Sequence, residues 1–147
     1  MDRIEGSRFL DLYAGSGAVG LEALSRGVNH VCLVENHPAV FKILELNCRL
    51  LLSREAEANS LQWIRDDALK FIDRSIKQET RFDIVFADPP FTLDFSGLWE
   101  RIKPLLNDDG VGVVQFPTRN PPDFTKKTGR IYEYGESSLA VFNAGHC

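Results

Sequence analysis

Apolar residues fall along this chain in short, nearly continuous runs, and between the runs they recur every three or four positions. The runs RFLDLY (8–13), HVCLVE (30–35), LQWI (61–64), FDIVFA (82–87) and VGVVQF (111–116) predict strands buried on both faces. Helical spacing follows each of the first four. Val19, Leu21, Ala23 and Leu24 precede a glycine stop at Gly27, and Val40, Leu44, Asn47 and Leu51 follow Pro38, which suits a first helical turn where its missing N–H has no partner to lose. Ala68, Leu69, Phe71, Ile72 and Ile76 mark a third helix, and LWERIKPLL (98–106) a fourth. Strands alternating with helices predict an α/β fold, a parallel sheet with helices on both faces. PTRNPPDFTKK reads as a loop, and RIYEYGESSLAVF as two strands joined by a turn at Gly135 to Ser138. No repeat or linker interrupts the pattern, which predicts one domain over residues 1–147.

Composition narrows the function classes. At 147 residues and 44% apolar content the chain can build one core, and no segment has the roughly 20 uninterrupted apolar residues of a membrane span. A soluble protein with no membrane partner is expected. Cys32, Cys48 and Cys147 form no CxxC pair, so neither a disulfide framework nor a zinc site is indicated, and a cytoplasmic location is the simplest expectation. Cys32 and Cys48, set among apolar residues, read as core filler. The net charge of −4 gives no general support to nucleic-acid binding. Any RNA contact needs a local patch, for which Arg119, Lys126, Lys127 and Arg130 are the candidates, against the plainer reading of a solvated loop.

Chemistry enters at the first strand's end. Gly15, Gly17 and Gly20 satisfy G-x-G-x-x-G between a strand and a helix, and Glu35 closes the next strand, where an acid can accept from both hydroxyls of a ribose. This suits nicotinamide adenine dinucleotide as well as S-adenosylmethionine. Asp11, just before the turn, tilts the choice, because a carboxylate there repels a pyrophosphate and attracts an ammonium and a sulfonium. The plainer role for Asp11 is to brace the glycine loop. After the third strand, Asp67 can accept from an adenine amine with Ile64 and Ala68 covering the ring, while Asp66 caps the helix; the opposite assignment of the two acids is nearly as good.

The second centre is FADPPF (86–91), where a strand ends in an acid, two prolines and an aromatic ring. Ligands in such sheets bind beyond the carboxyl ends of the strands, which turns Asp88 toward the cofactor pocket. An amine on an aromatic base is a poor nucleophile because its lone pair is delocalised into the ring. A carboxylate oxygen of Asp88 and the carbonyl of Pro89, each accepting one N–H, would draw the nitrogen toward a tetrahedral shape. Pro89 and Pro90 fix φ and supply no competing donor, and Phe91 can stack on the base. Proximity and orientation then carry most of the catalysis.

DLYAGSGAVGLEALSRG, VENHPA, the Asn47 helix, DDA, FADPPF and YGESSLAVF, in that order, resemble the bacterial 16S rRNA (guanine-N2)-methyltransferase family of class I S-adenosylmethionine-dependent enzymes, from about Arg8 to Phe142. The resemblance implies a Rossmann-like, mostly parallel seven-stranded sheet whose last strand is antiparallel, and methyl transfer to the exocyclic N2 of a guanine in 16S rRNA, free or in the assembled small subunit. It implies cofactor contacts at Asp11, Ala14, Gly15, Gly17, Glu35, Asn36, Asp67 and Ala68, catalysis at Asp88, Pro89, Pro90 and Phe91, no metal, and a monomer. Asn47 is expected to hydrogen-bond a neighbouring loop. Members usually carry a basic N-terminal segment before the first strand, where this sequence has MDRIEGS, and an acid where it has Gln115. Other amino methyltransferases, acting on adenine N6 or glutamine, and a cofactor-binding protein without catalysis are the alternatives.

Overall fold

The computed structural model describes residues 6–54, 60–90, 97–122 and 129–145. In chain order the elements are β1 (Arg8–Asp11), α1 (Ala18–Ser25), β2 (His30–Glu35), α2 (Pro38–Arg54), β3 (Leu61–Arg65), α3 (Ala68–Lys77), β4 (Phe82–Ala87), α4 (Leu98–Ile102), β5 (Leu106–Pro117), β6 (Arg130–Tyr134) and β7 (Ser137–Asn143). The strands form one seven-stranded sheet in the order β3-β2-β1-β4-β5-β7-β6. β1 to β5 pair in parallel, and β7 runs antiparallel to both its neighbours, β5 and β6. The order therefore reverses between β1 and β4, the switch point at which such sheets open a ligand crevice.

Alternation along the strands splits the core into two layers. Phe9, Val31 and Leu33 pack with Leu44 and Cys48 of α2 on one face, while Leu10, Cys32, Val34 and Val85 pack with Phe71, Ile72, Trp99 and Ile102 on the other. The helices thus cover both faces, as the near-continuous apolar strands predict. Cys32 and Cys48 are buried, unpaired thiols. Burial pushes them up to about 12 and about 11, so both behave as core filler. No described helix is long and apolar enough to cross a membrane.

Three boundaries differ from the sequence pattern. β1 ends at Asp11 and not at residue 13, although Leu12 N still donates to Phe86 O (3.0 Å) and Ala14 N to Val34 O (2.9 Å) as the chain leaves the sheet. The fourth helix stops at Ile102 and tightens into a 3₁₀ turn over Lys103–Leu105, because Pro104 has no N–H to close the next helical bond. β5 starts at Leu106, five residues early. Its pairing with β4 slips between Phe82↔Leu106 and Ile84↔Val111, and Asn107 Nδ2 holds the slipped segment by donating to Asp83 Oδ1 at 2.9 Å. The last hairpin closes with a two-residue turn, Gly135 and Glu136, in which Gly135 takes the left-handed φ of +67°.

Candidate functional site

The glycine turn is clasped from two sides. Gly15 and Gly17 adopt φ of +58° and +90°, a region open to glycine at little cost. Glu35, at the end of β2, accepts from Gly15 N through Oε1 (2.9 Å) and from His37 N through Oε2 (3.0 Å). Asn47 of α2 donates from Nδ2 to Ser16 O at 2.9 Å, the loop-holding role expected of it. Glu35 therefore organises the turn as well as edging the pocket, a duty that the ribose reading of Glu35 did not include. A Cβ built on Gly15 would meet nothing within 4 Å, so the turn presents bare backbone to open space.

Beyond the carboxyl ends of β1 to β4 lies a cavity of about 630 Å³. Of the predicted residues, Glu35, Asn36, Asp67, Ala68, Asp88 and Pro90 line it, whereas Asp11, Ala14, Gly15 and Gly17 do not, and Leu12, Pro38 and Leu69 add apolar wall. Asp67 caps α3 by accepting from Lys70 N at 3.0 Å, so the assignment of the cap to Asp66 is corrected. Asp66 instead accepts from Asp67 N at 2.8 Å, with the Arg74 guanidinium 2.8 Å from its other oxygen, off the hydrogen-bonding direction. The sequence leaves the pair ambiguous because either acid stands close enough to the helix start.

Asp11 has the most unusual environment. It is 1% exposed, and its Oδ1 has no hydrogen-bond partner among the described residues. Burial first, and then the neighbouring charges of Asp88 and Glu35, push its carboxyl up to about 7 against a hydrogen bond from the Tyr13 backbone. A buried acid with an unsatisfied oxygen among like charges is costly to ionise, and a nearby positive charge would offset that cost.

A second cavity, of about 480 Å³, opens between the end of β4, the end of β5 and the β6–β7 turn. Asp88 and Pro90 line both cavities, and Pro89 lines the second. Neither the Asp88 carboxylate nor the Pro89 carbonyl has a hydrogen-bond partner among the described residues. Asp88 stays open to solvent, and partial burial raises its carboxyl above the ordinary range. Arg119 is in this wall, together with Gln115, Glu136 and Ser137, of which Glu136 and Ser137 were not expected at a site. Antiparallel pairing of β7 with β5 puts Ser137 opposite Pro117, a juxtaposition with no local signal in the sequence. Arg130 sits apart: it pairs with Val141, four positions along β7 from Ser137, or about 13 Å at the rise of a strand. Phe91, Lys126 and Lys127 lie outside the described residues.

A mostly parallel seven-stranded sheet with an antiparallel β7, a clasped glycine turn and a cavity at the β1/β4 switch define a class I methyltransferase. The chain belongs, within that class, to the family whose model is described as Conserved hypothetical protein 95, which matches residues 1–143. Ribosomal RNA small subunit methyltransferase D of Escherichia coli K12 is 37% identical over 107 residues, covering 73% of this chain and 48% of the relative. The chain spans about half the length of the curated relatives it matches. Among solved structures, a hypothetical protein of Thermus thermophilus superposes with a TM-score of 0.77 at 30% identity, covering 92% of this chain and 74% of that one. An RNA methyltransferase from Salinibacter ruber, solved with S-adenosyl-L-homocysteine, shares the fold at 12% identity and a TM-score of 0.72, covering 96% of this chain and 83% of that one.

Proposed function

We propose that this chain transfers the methyl group of S-adenosylmethionine to the exocyclic N2 of a guanine in 16S rRNA. The observation that carries the reading is the position of Asp88 at the junction of two cavities, one edged by carboxylates and one open beside the D-P-P turn. The residues present fit the cofactor: the unpartnered Asp11 oxygen suits its cationic methionine end, Glu35 its ribose, and Asp67 with Ala68 its adenine. When bound, the cofactor supplies an electrophilic methyl on a sulfonium.

The chain's own work is to hold the amine. The Asp88 carboxylate and Pro89 carbonyl accept its two N–H bonds and aim the lone pair across the junction. As the N–C bond forms, the methyl's bond to sulfur would break and leave the neutral thioether, and the nitrogen's extra proton would pass to the Asp88 carboxylate. The raised pKa makes that carboxylate a better base than a fully solvated one.

Labelled S-adenosylmethionine, supplied with small ribosomal subunits or naked 16S rRNA lacking the modification, tests this. Label is expected in N2-methylguanosine after nuclease digestion. Asp88→Ala should cut turnover by about 10²-fold or more and leave affinity for S-adenosylhomocysteine within a few-fold. Label in N6-methyladenosine would move the substrate to adenine. A collapse of cofactor affinity in the variant would place Asp88 in the cofactor pocket alone.

A further inference from the structure

The second cavity holds a set of polar groups committed to nothing else. Arg119 and Glu136 both line it, yet no ion pair joins them, and neither side chain has a hydrogen-bond partner among the described residues. The contrast is with Glu35 and Asp67, which are held by backbone N–H groups. Glu136 nonetheless has a fixed position. Its carbonyl accepts from Thr118 N (2.9 Å), and Thr118 Oγ1 donates to Gly135 O (3.0 Å) while lying 2.8 Å from Ser138 Oγ. Those bonds tie the two-residue turn of the hairpin to the end of β5.

A donor-only and an acceptor-only group around one base-sized space can discriminate bases. Guanine offers, in sequence around its edge, the N2 amine, the N1–H and the O6/N7 acceptors, whereas adenine and 2-aminopurine carry an unprotonated N1. An ionised carboxylate can only accept and a guanidinium can only donate, while the Gln115 amide can turn to do either and so cannot choose. Resting on the reading of Asp88 as the amine's partner, we propose that Glu136 accepts the guanine N1–H and Arg119 donates to O6/N7, making the β6–β7 turn the element that selects guanine.

Equilibrium binding of the full chain, with S-adenosylhomocysteine present, to uridine oligonucleotides carrying one central guanine, 2-aminopurine or adenine tests the assignment apart from turnover. 2-Aminopurine keeps the 2-amine and lacks both the N1–H and O6. The wild-type chain should bind the guanine oligonucleotide about tenfold or more tighter than the other two. Glu136→Gln should shrink that ratio several-fold, chiefly by weakening guanine, with affinity for S-adenosylhomocysteine unchanged, and the remainder is what Arg119 contributes at O6. Arg119→Ala should lower guanine affinity more than 2-aminopurine affinity, because 2-aminopurine keeps N7 and lacks O6. An unchanged guanine preference in Glu136→Gln, or no preference in the wild-type chain, overturns the proposal. Discrimination that depends on Glu136 in a chain that transfers no methyl would keep the base-reading role and remove the reaction instead.

Discussion

Asp11 is where a single residue sets a property of the whole chain. Its carboxyl titrates near 3.8 when unfolded and at about 7 when folded. Between those values the folded chain holds a proton that the unfolded chain has released, so stability is lost as pH rises from about 4 to about 7 and levels off above. The span is on the order of a few kcal/mol. Asp11→Asn removes the titrating group, and chemical denaturation at about pH 5 and about pH 8 should show a smaller loss between the two than the wild-type chain shows. Identical losses would mean that Asp11 is not the buried acid responsible. The variant should also bind S-adenosylhomocysteine about tenfold or more weakly at the higher pH, because the carboxylate proposed to meet the ligand's ammonium is gone. The residue that weakens the fold at neutral pH is thus one whose ionised form a cationic ligand would stabilise.

Elements locate such residues through a few close approaches. Trp99 of α4 stacks on Phe142 of β7 with ring centroids 4.4 Å apart, and a Cβ built on Gly112 of β5 would come within 2.6 Å of the Trp99 ring. Phe142 is the register partner of Gly112 across the β5–β7 pair, and the stacking holds the indole above both. Gly112→Ala should therefore cost about 1–3 kcal/mol, read as a lower denaturation midpoint with an unchanged slope. An unshifted midpoint would show that α4 rides loosely on the sheet. The elements themselves were legible because each core strand is an apolar run and each helix has its own stripe. Legibility failed where a side chain overrode local pattern: Pro104 shortened α4, and Asn107, reaching Asp83, kept Leu106–Gly110 with the sheet although NDDG reads as a turn. The glycine turn between a strand and a helix is legible, but the clasp by Glu35 and Asn47 depends on residues 20 and 31 positions away from their partners.

At the scale of the molecule, topology decided which half of the site could be foreseen. Asp11, Glu35, Asp67 and Asp88 all stand at or just beyond the ends of parallel strands, and the rule that ligands collect there brings them together from sequence alone. Gln115, Glu136 and Ser137 meet only through the antiparallel register of β5 and β7, which no local pattern announces. Charge was a second guide. With 17 basic and 21 acidic residues, the net charge of −4 gives no overall attraction for RNA, and among the described residues Arg119 and Arg130 do not form one patch. Adding Lys126 and Lys127 to them gives at most four phosphate contacts from the cations the sequence singles out. At about 0.7 per contact for a single strand, log K against log salt should then fall with a slope no steeper than about −3. Titrating a labelled single-stranded RNA from about 50 to about 200 mM salt checks this. A steeper slope would mean that cations elsewhere on the chain grip the backbone, whereas a shallow one leaves base recognition in the second cavity to supply the selectivity that charge does not.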